Sequence, residues 1–267
     1  MIYDPPTRGA RNMAVDEAIL TAVAAGGVPP TLRFYQWKPA CLSLGYGQRA
    51  READVERLHE RGWEIVRRPT GGRAILHRHE LTYSLALPID HPIAAGGIIE
   101  SYRRISDALL TGLQALGLHA NADRMADDAH LTPVCFETPS HYEITVAGKK
   151  LIGSAQVRRK GGMLQHGSLP LTGDIADICD VLVYPDEAAR AASKQDVRAH
   201  AATLVDGLCG GVGCPPIKSL LVEHISAAFG VDFLARLTSR DLTPDEWAHA
   251  EQLEREIYGS DEWTFRR

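Results

Sequence analysis

The chain has 267 residues, 45% of them hydrophobic and 24% charged, with a formal net charge of −5. That length fits one large domain or two small ones around a substantial core. The acidic balance argues against a general nucleic-acid binder, and no apolar run approaches the roughly 20 residues that cross a bilayer. The opening MIYDPPTRGARNM lacks the apolar core of a secretory signal, so the cytoplasm is the expected compartment. The cysteines Cys41, Cys135, Cys179, Cys209 and Cys214 are odd in number over a long chain, which suits reduced thiols better than disulfides. CGGVGC offers two thiols and no second pair to complete a zinc site, so they read as incidental and no metal is expected.

In chain order, Asn12 is placed to cap a helix running to about Ala25. Asp16 and Glu17 sit near its positive end, and Met13, Ile19, Leu20 and Val23 supply burial. Gly26–Gly27 ends it. Strands are expected over Thr31–Trp37 and Cys41–Gly45, a helix over Arg51–Glu60 and a strand over Trp63–Arg67. Then comes RRPTGGRAILHRHELTYSLAL, a Pro-Thr-Gly-Gly turn followed by strands at Ala74–Leu76 and Leu81–Leu87. Two readings of this stretch stand level. The arginines and glycines can present guanidinium and backbone N–H groups to a phosphate or carboxylate, or they form a hairpin loop with solvated arginines. The spacing matches neither GxxxxGK[ST] nor GxGxxG.

A long helix is expected over Ile98–Leu116, and the polar stretch Asn121–Thr132 reads as a mobile loop delivering Cys135 to a site. The segment Pro133–Leu169 organises the rest. Its alternating Tyr142–Val146 strand, the Ala147–Gly148 link and a returning strand with Lys150 and Gly153–Ser154–Ala155 form a hairpin signal. With a two-residue loop, Lys150 faces Thr145 on the polar side, away from Tyr142, Ile144 and Val146. Gly161–Leu169 reads as a further strand, and helices are expected at Asp174–Val181, near Val197–Leu204, at Pro216–Phe229 and at Pro244–Ile257. The pattern predicts one α+β domain over 1–267, with a mixed, largely antiparallel sheet, flanking helices and a mostly helical portion from about 174.

A lone cysteine is more often an inert small hydrophobe than a nucleophile. Cys135 departs from that baseline because it lies in an expected loop, precedes the Lys150 hairpin and has polar neighbours in sequence. A nearby ammonium favours the thiolate, which suits acyl transfer between thioesters. His77, His79 and His166 are candidate bases, each against the commoner role of a hydrogen-bonded structural histidine. Arg158–Arg159–Lys160 reads either as a seat for an acidic partner or as a solvated hairpin end.

The segments NMAVDEAIL, TLRFYQWKPACLSLGYGQ, RRPTGGRAILHRHELTYSLAL, KKLIGSAQ and LQHGSL together resemble the lipoate–protein ligase/octanoyltransferase family, related in fold to biotin protein ligase. EWTFRR at the end is similar too. CFETPSHYE ahead of KKLIGSAQ resembles the cysteine-dependent octanoyltransferase branch. The resemblance implies octanoyl transfer from octanoyl-acyl carrier protein to a lysine of a lipoyl-domain protein, either glycine cleavage H protein or a 2-oxoacid dehydrogenase E2. Cys135 is then the acyl-accepting nucleophile, and Lys150 holds the acyl carbonyl and helps activate the thiol or the incoming amine. Arg68, Gly71, Gly72, Arg73, His77 and His166 line the substrate pocket, with Gly153, Ser154, Ala155 and Gln156 as its other wall. No cofactor, nucleic acid or membrane is implied. Arg78 stands where many ligases have aspartate. An ATP-dependent ligase, or an octanoyl amidotransferase between lipoyl domains, is the alternative.

Overall fold

In the computed structural model the described residues are 1–123, 143–209, 217–233 and 236–267. The strands are β1 Ile2–Tyr3, β2 Thr31–Tyr35, β3 Cys41–Leu44, β4 Glu64–Arg67, β5 Ile75–His77, β6 Glu80–Pro88, β7 Ala120–Asp123, β8 Glu143–Val146, β9 Lys149–Arg159 and β10 Gly162–Pro170. A seven-stranded sheet runs β1-β2-β6-β10-β9-β8-β7, and a three-stranded sheet runs β4-β3-β5. Among the described strands, β1–β2 and β3–β4 pair parallel and the other strand pairings are antiparallel. This is the mixed, largely antiparallel α+β arrangement that the alternating patterns predict. The helices are α1 Gly9–Ala24, α2 Val55–Glu60, α3 Ile98–Ala115, α4 Glu187–His200, α5 Leu204–Cys209, α6 Ile217–Asp232, α7 Pro244–Leu253 and α8 Asp261–Thr264.

Period-two alternation divides the large sheet into two faces. Leu81, Tyr83, Leu85 and Leu87 of β6 and Met163 and Leu169 of β10 pack in one core with Ile105, Leu109 and Leu113 of α3. On the opposite face Leu164 and Ala86 pack with Met13, Ile19, Leu20 and Val23 of α1. The residues that alternate with the α3-facing set on β6 and β10, namely Thr82, Ser84, His166 and Ser168, are polar yet buried. A polar group taken out of water needs partners, and these have them, as described below.

Several elements differ from expectation for identifiable reasons. α1 begins at Gly9, so Asn12 is no cap. It is fully buried, its amide donating to the carbonyls of Thr7 and Gln36. Asp16 and Glu17 likewise lie on the buried face as acceptors of ion pairs rather than in the first turn. The helix expected over Arg51–Glu60 splits into a 3₁₀ turn at Ala50–Glu52 and α2, which Asp54 caps through its side chain to the Arg57 N–H. Asp174–Val181 forms 3₁₀ rather than α structure, over Ile175–Val181. The segment near Val197–Leu204 straddles the end of α4 and the start of α5. The stretch from Asn121 starts as the edge strand β7; its remainder, with Cys135, Tyr142 and Cys214, lies outside the described residues.

The β8–β9 hairpin matches the sequence reading. Ala147 and Gly148 both take positive φ, 49° and 75°, the primed turn whose twist suits a two-residue connection. Lys150 pairs with Thr145, past a bulge at Ile144/Thr145. Ile144 and Val146 join the α3 core.

The Pro-Thr-Gly-Gly turn is seated on the end of β3. A Cβ on Gly45 would overlap the carbonyl oxygen of Gly72, whose φ is +90°. Gly45→Ala should therefore displace backbone rather than a side chain, at a cost of about 2 kcal/mol or more. Urea unfolding should show a lower midpoint at unchanged slope, whereas Gly47→Ala, where a Cβ meets open space, should shift it far less.

Candidate active site

Where the α1-side face of the large sheet meets the small sheet, the two line a small pocket. Met13, Tyr35, Trp37 and Ile75 give it apolar walls; Ser43, Arg68, His77, Thr82, Ser154, His166 and Ser168 are its polar lining. Of the residues expected from sequence, Arg68, Gly72, His77, Gly153, Ser154, Ala155 and His166 all line this pocket. Gly71 and Arg73 do not line it, but their carbonyls take Nη2 of Arg68 at 2.8 and 2.7 Å. Gln156 lies outside, bonded to Ser101, Gln165 and Arg158. Cys135 is outside the described residues.

The solvated-loop reading of the two arginines does not hold, and Arg68 lines the pocket. Arg67 and Arg68 are buried rather than solvated. Arg67 donates to the carbonyls of Gly45, Gln48 and Thr264. Arg68 donates to the Ser43 carbonyl at 2.9 Å and hydroxyl at 3.1 Å, besides the turn carbonyls. Their forks hold the turn in place. The C-terminal residues grip it from outside: Trp263 Nε1 donates to the Arg67 carbonyl at 2.9 Å, and the Arg266 guanidinium lies 3.9 Å from the ring centroids of both Tyr46 and Trp263. EWTFRR thus supports the pocket turn.

Two histidines face the pocket from opposite sheets, each with a carboxylate behind it. On β10, His166 Nδ1 is 3.3 Å from Asp16 and Nε2 is 2.7 Å from the Thr70 hydroxyl. Asp16 also accepts from Arg33 at 2.7 Å, Tyr35 at 2.8 Å and Ser84 at 2.8 Å. Burial alone would raise this carboxyl, but Arg33 and His166 hold it below its ordinary value. Burial pushes His166 the other way, below its ordinary value, with Asp16 only partly offsetting it. On β5, His77 Nδ1 meets Glu80 at 2.6 Å and Nε2 meets the Ser43 hydroxyl at 2.8 Å. Its ring stacks on Trp37, with centroids 3.8 Å apart. His79 faces a neighbouring cleft with Arg78 and Asp177. Arg78 itself pairs with Asp177 at 2.5 Å and lies over Trp63.

Lys150 is 5% exposed, does not line the pocket, and its amine bonds the Glu143 carboxylate, 3% exposed, on the facing strand. Gly153 lies three residues further along β9, a rise of about 10 Å. Arg158, Arg159 and Lys160 form no open basic patch. Arg158 binds the carbonyls of Gly96 and Gly97, while Arg159 and Lys160 pair with buried Glu17. The described free cysteines, Cys41 and Cys179, are buried, and burial raises the Cys41 thiol well above its ordinary value, which keeps it unreactive.

Sequence reasoning missed Ser43, Glu80, Asp16 and Glu143. A signal existed for two: Glu80 follows His77 by three residues, and Glu143 shares a strand face with Thr145, opposite Lys150. For Asp16 and Ser43 only the fold supplies the partner.

A fold with this site is a lipoate-ligase fold, and the chain belongs to the lipoyl protein ligase A/B catalytic domain family, whose model matches residues 8–226. It is similar to an octanoyltransferase LipM of Kyrpidia tusciae, 43% identical with 96% of this chain and 94% of the relative covered. It is also 43% identical to an octanoyltransferase LipM of Brevibacillus brevis, over 97% of this chain and 95% of that one. Among solved structures it resembles a bipartite lipoate protein ligase of Thermoplasma acidophilum at TM-score 0.81 and 25% identity, covering 99% of this chain and 94% of that one.

The histidine electrostatics have a stability consequence. Because folding lowers the His166 pKa, its contribution is complete above its ordinary value of 6.5 and is lost as pH falls below it. Asp16, depressed below 3.8, and Glu17 and Glu246, depressed below 4.5, have the same sign further into acid. Unfolding free energy measured from pH 8 to 4 should start falling near pH 6.5, by at most about 1.4 kcal/mol per pH unit for this one proton. His166→Gln should flatten that limb, apart from a smaller share from half-buried His91, and leave the steeper loss at lower pH.

Proposed function

We propose that the chain is an octanoyltransferase of lipoate biosynthesis, taking octanoyl from acyl carrier protein, holding it as a thioester on Cys135 and passing it to a lysine of a lipoyl domain. The observation that carries the reading is 43% identity across 96% of the chain with a protein named as an octanoyltransferase. The pocket supports it. An acyl chain can lie against Met13, Trp37 and Ile75, while the small residues Gly153, Ala155 and Gly167 let it approach the sheet backbone.

In this reading the pantetheine thioester reaches Cys135, the thiolate attacks its carbonyl carbon, the tetrahedral adduct collapses and the pantetheine thiol leaves. The acceptor lysine then attacks the Cys135 thioester. Converting a thioester to an amide is downhill, so neither ATP nor a metal drives it. Lys150, held by Glu143, offers its ammonium to the oxyanion, a contribution of about 3–4 kcal/mol for one well-placed donor. The acceptor is a lipoyl-domain protein, glycine cleavage H protein or a 2-oxoacid dehydrogenase E2; the Thermoplasma ligase is described together with an E2 lipoyl domain. The cytoplasm, where acyl carrier protein works, is the proposed compartment.

With octanoyl-acyl carrier protein and no ATP, the wild type should octanoylate a lipoyl domain, and Cys135→Ser should lose about 10³-fold or more in rate. Glu143→Gln should retain the fold yet transfer more slowly, because the Lys150 amine loses its anchor. Activity that requires ATP with a free fatty acid, and that survives Cys135→Ser, would make the chain a ligase. Preference for an octanoylated lipoyl protein as donor would make it an amidotransferase.

A further inference from the structure

We infer that an arginine-rich rim beside the pocket turn is the docking surface for the acyl donor, an acidic carrier whose acyl group rides on a phosphate-linked arm. This rests on the acyl-transfer reading above. Three segments build the rim: residues 45–52, the turn 67–73 and the C-terminal 261–267. They are bonded to one another. The Tyr46 N–H donates to the Thr70 carbonyl at 2.8 Å, the Ala50 N–H to the Arg267 carbonyl at 2.7 Å, and Arg266 Nη2 to the Tyr46 carbonyl at 3.1 Å. Gly72 of the turn lines the pocket and is exposed, so the rim adjoins the pocket there.

The charge of this surface is opposite to that of the molecule. The three segments hold seven arginines and three carboxylates in a chain of formal net charge −5. Arg49, Arg51 and Arg267 are exposed and make no ion pair or side-chain hydrogen bond among the described residues. Glu52, their carboxylate neighbour, accepts from the Gln48 amide at 2.9 Å and lies 3.9 Å from Arg73; Asp261 and Glu262 sit at the start of α8. The excess reaches inward. Burial first, then the charges of Arg266 and Arg267, hold the Arg67 guanidinium below its ordinary value, and its Nη2 has no hydrogen-bond partner among the described residues. Cations gathered without counter-charges repel one another, and an anion bound over them relieves that cost. Tyr46 and Phe265, 42% and 38% exposed, add aromatic area of the kind that anchors protein interfaces beside arginine.

Charge also sorts the occupants. The donor brings acidic side chains and a phosphodiester, and guanidinium forks pair with phosphate oxygens. The acceptor brings a lysine ammonium, which clustered arginines repel. A long nucleic acid would run onto the rest of the surface, where the acidic excess lies. The other basic run, Arg158–Lys160, is spent on carbonyls and on buried Glu17.

The test compares two donors that share a thioester. Wild type and Arg49→Glu/Arg51→Glu transfer octanoyl to a lipoyl domain, without ATP, from octanoyl-acyl carrier protein or from octanoyl-pantetheine, which has neither phosphate nor protein. In the variant, kcat/KM for the carrier should fall about tenfold, while kcat/KM for octanoyl-pantetheine and for the lipoyl domain stay within about twofold of wild type. Sodium chloride should lower kcat/KM for the carrier more steeply in the wild type than in the variant. Affinity for the acyl-free carrier, read by fluorescence anisotropy, should weaken in parallel, and it decides the matter if octanoyl-pantetheine proves too poor a donor. Arg49→Ala/Arg51→Ala carries the comparison if the charge reversal does not fold. Equal loss with both donors, a loss confined to the lipoyl domain, or an unchanged value for the carrier would overturn the docking surface alone. A wild type that transfers from neither donor without ATP would overturn the acyl-transfer reading and the docking surface with it.

Discussion

The structure depends on a carboxylate buried where no water can reach it. Asp16, fully enclosed on α1, receives Arg33 and Tyr35 from β2, Ser84 from β6 and His166 from β10. An ionised carboxylate costs several kcal/mol to bury unless its lone pairs are matched, and here donors from three neighbouring strands match them. The helix is thereby tied to the face of the sheet at one register, and a one-residue slip of β10 would turn His166 away. Arg33 is held in turn by Asp4 and Asn12, so the polar interior is closed on itself. Removing one member leaves the others unpaired, which is why such clusters specify a geometry more than they add stability.

That closure sets what the pocket can do. With Asp16 behind His166 and Glu80 behind His77, two imidazoles face one cavity with their ring orientations fixed, between apolar walls and a turn held by buried arginines. Acyl chemistry suits such a place. It needs an apolar slot, a few oriented proton carriers and exclusion of water from a thioester that would otherwise hydrolyse. The Lys150–Glu143 pair stands further along β9 as a separate, likewise buried element.

Much of this was legible from residue order. Ala147–Gly148 fixed the hairpin and placed Lys150 opposite Thr145, because a two-residue link allows few turns and the period of two assigns the faces. Gly72, His77, His166 and the Gly153–Ser154–Ala155 wall stand out in the sequence, and the structure gathers them at one pocket. What sequence could not resolve is polar residues on buried faces. Asn12, Asp16 and Glu17 look like helix-start signals because Asn and acidic residues favour that position; only the partner strand reveals that they face inward. Arg67 and Arg68 look solvated or ligand-binding because arginines are rarely buried, and the carbonyls that receive them lie as much as 197 residues away in sequence. α4 was largely missed, since the alanine-rich, polar sequence of Glu187–His200 buries only Arg190 and Val197 and shows little apolar stripe.

The central claim is that the acyl group passes through a cysteine thioester. The most direct check is peptide mapping of the protein after incubation with octanoyl-acyl carrier protein in the absence of ATP, with digestion at acidic pH to preserve thioesters. The account predicts octanoyl on the peptide containing Cys135, released by neutral hydroxylamine. No octanoyl on the protein without ATP, or a hydroxylamine-resistant octanoyl amide on a lysine such as Lys150, would contradict it.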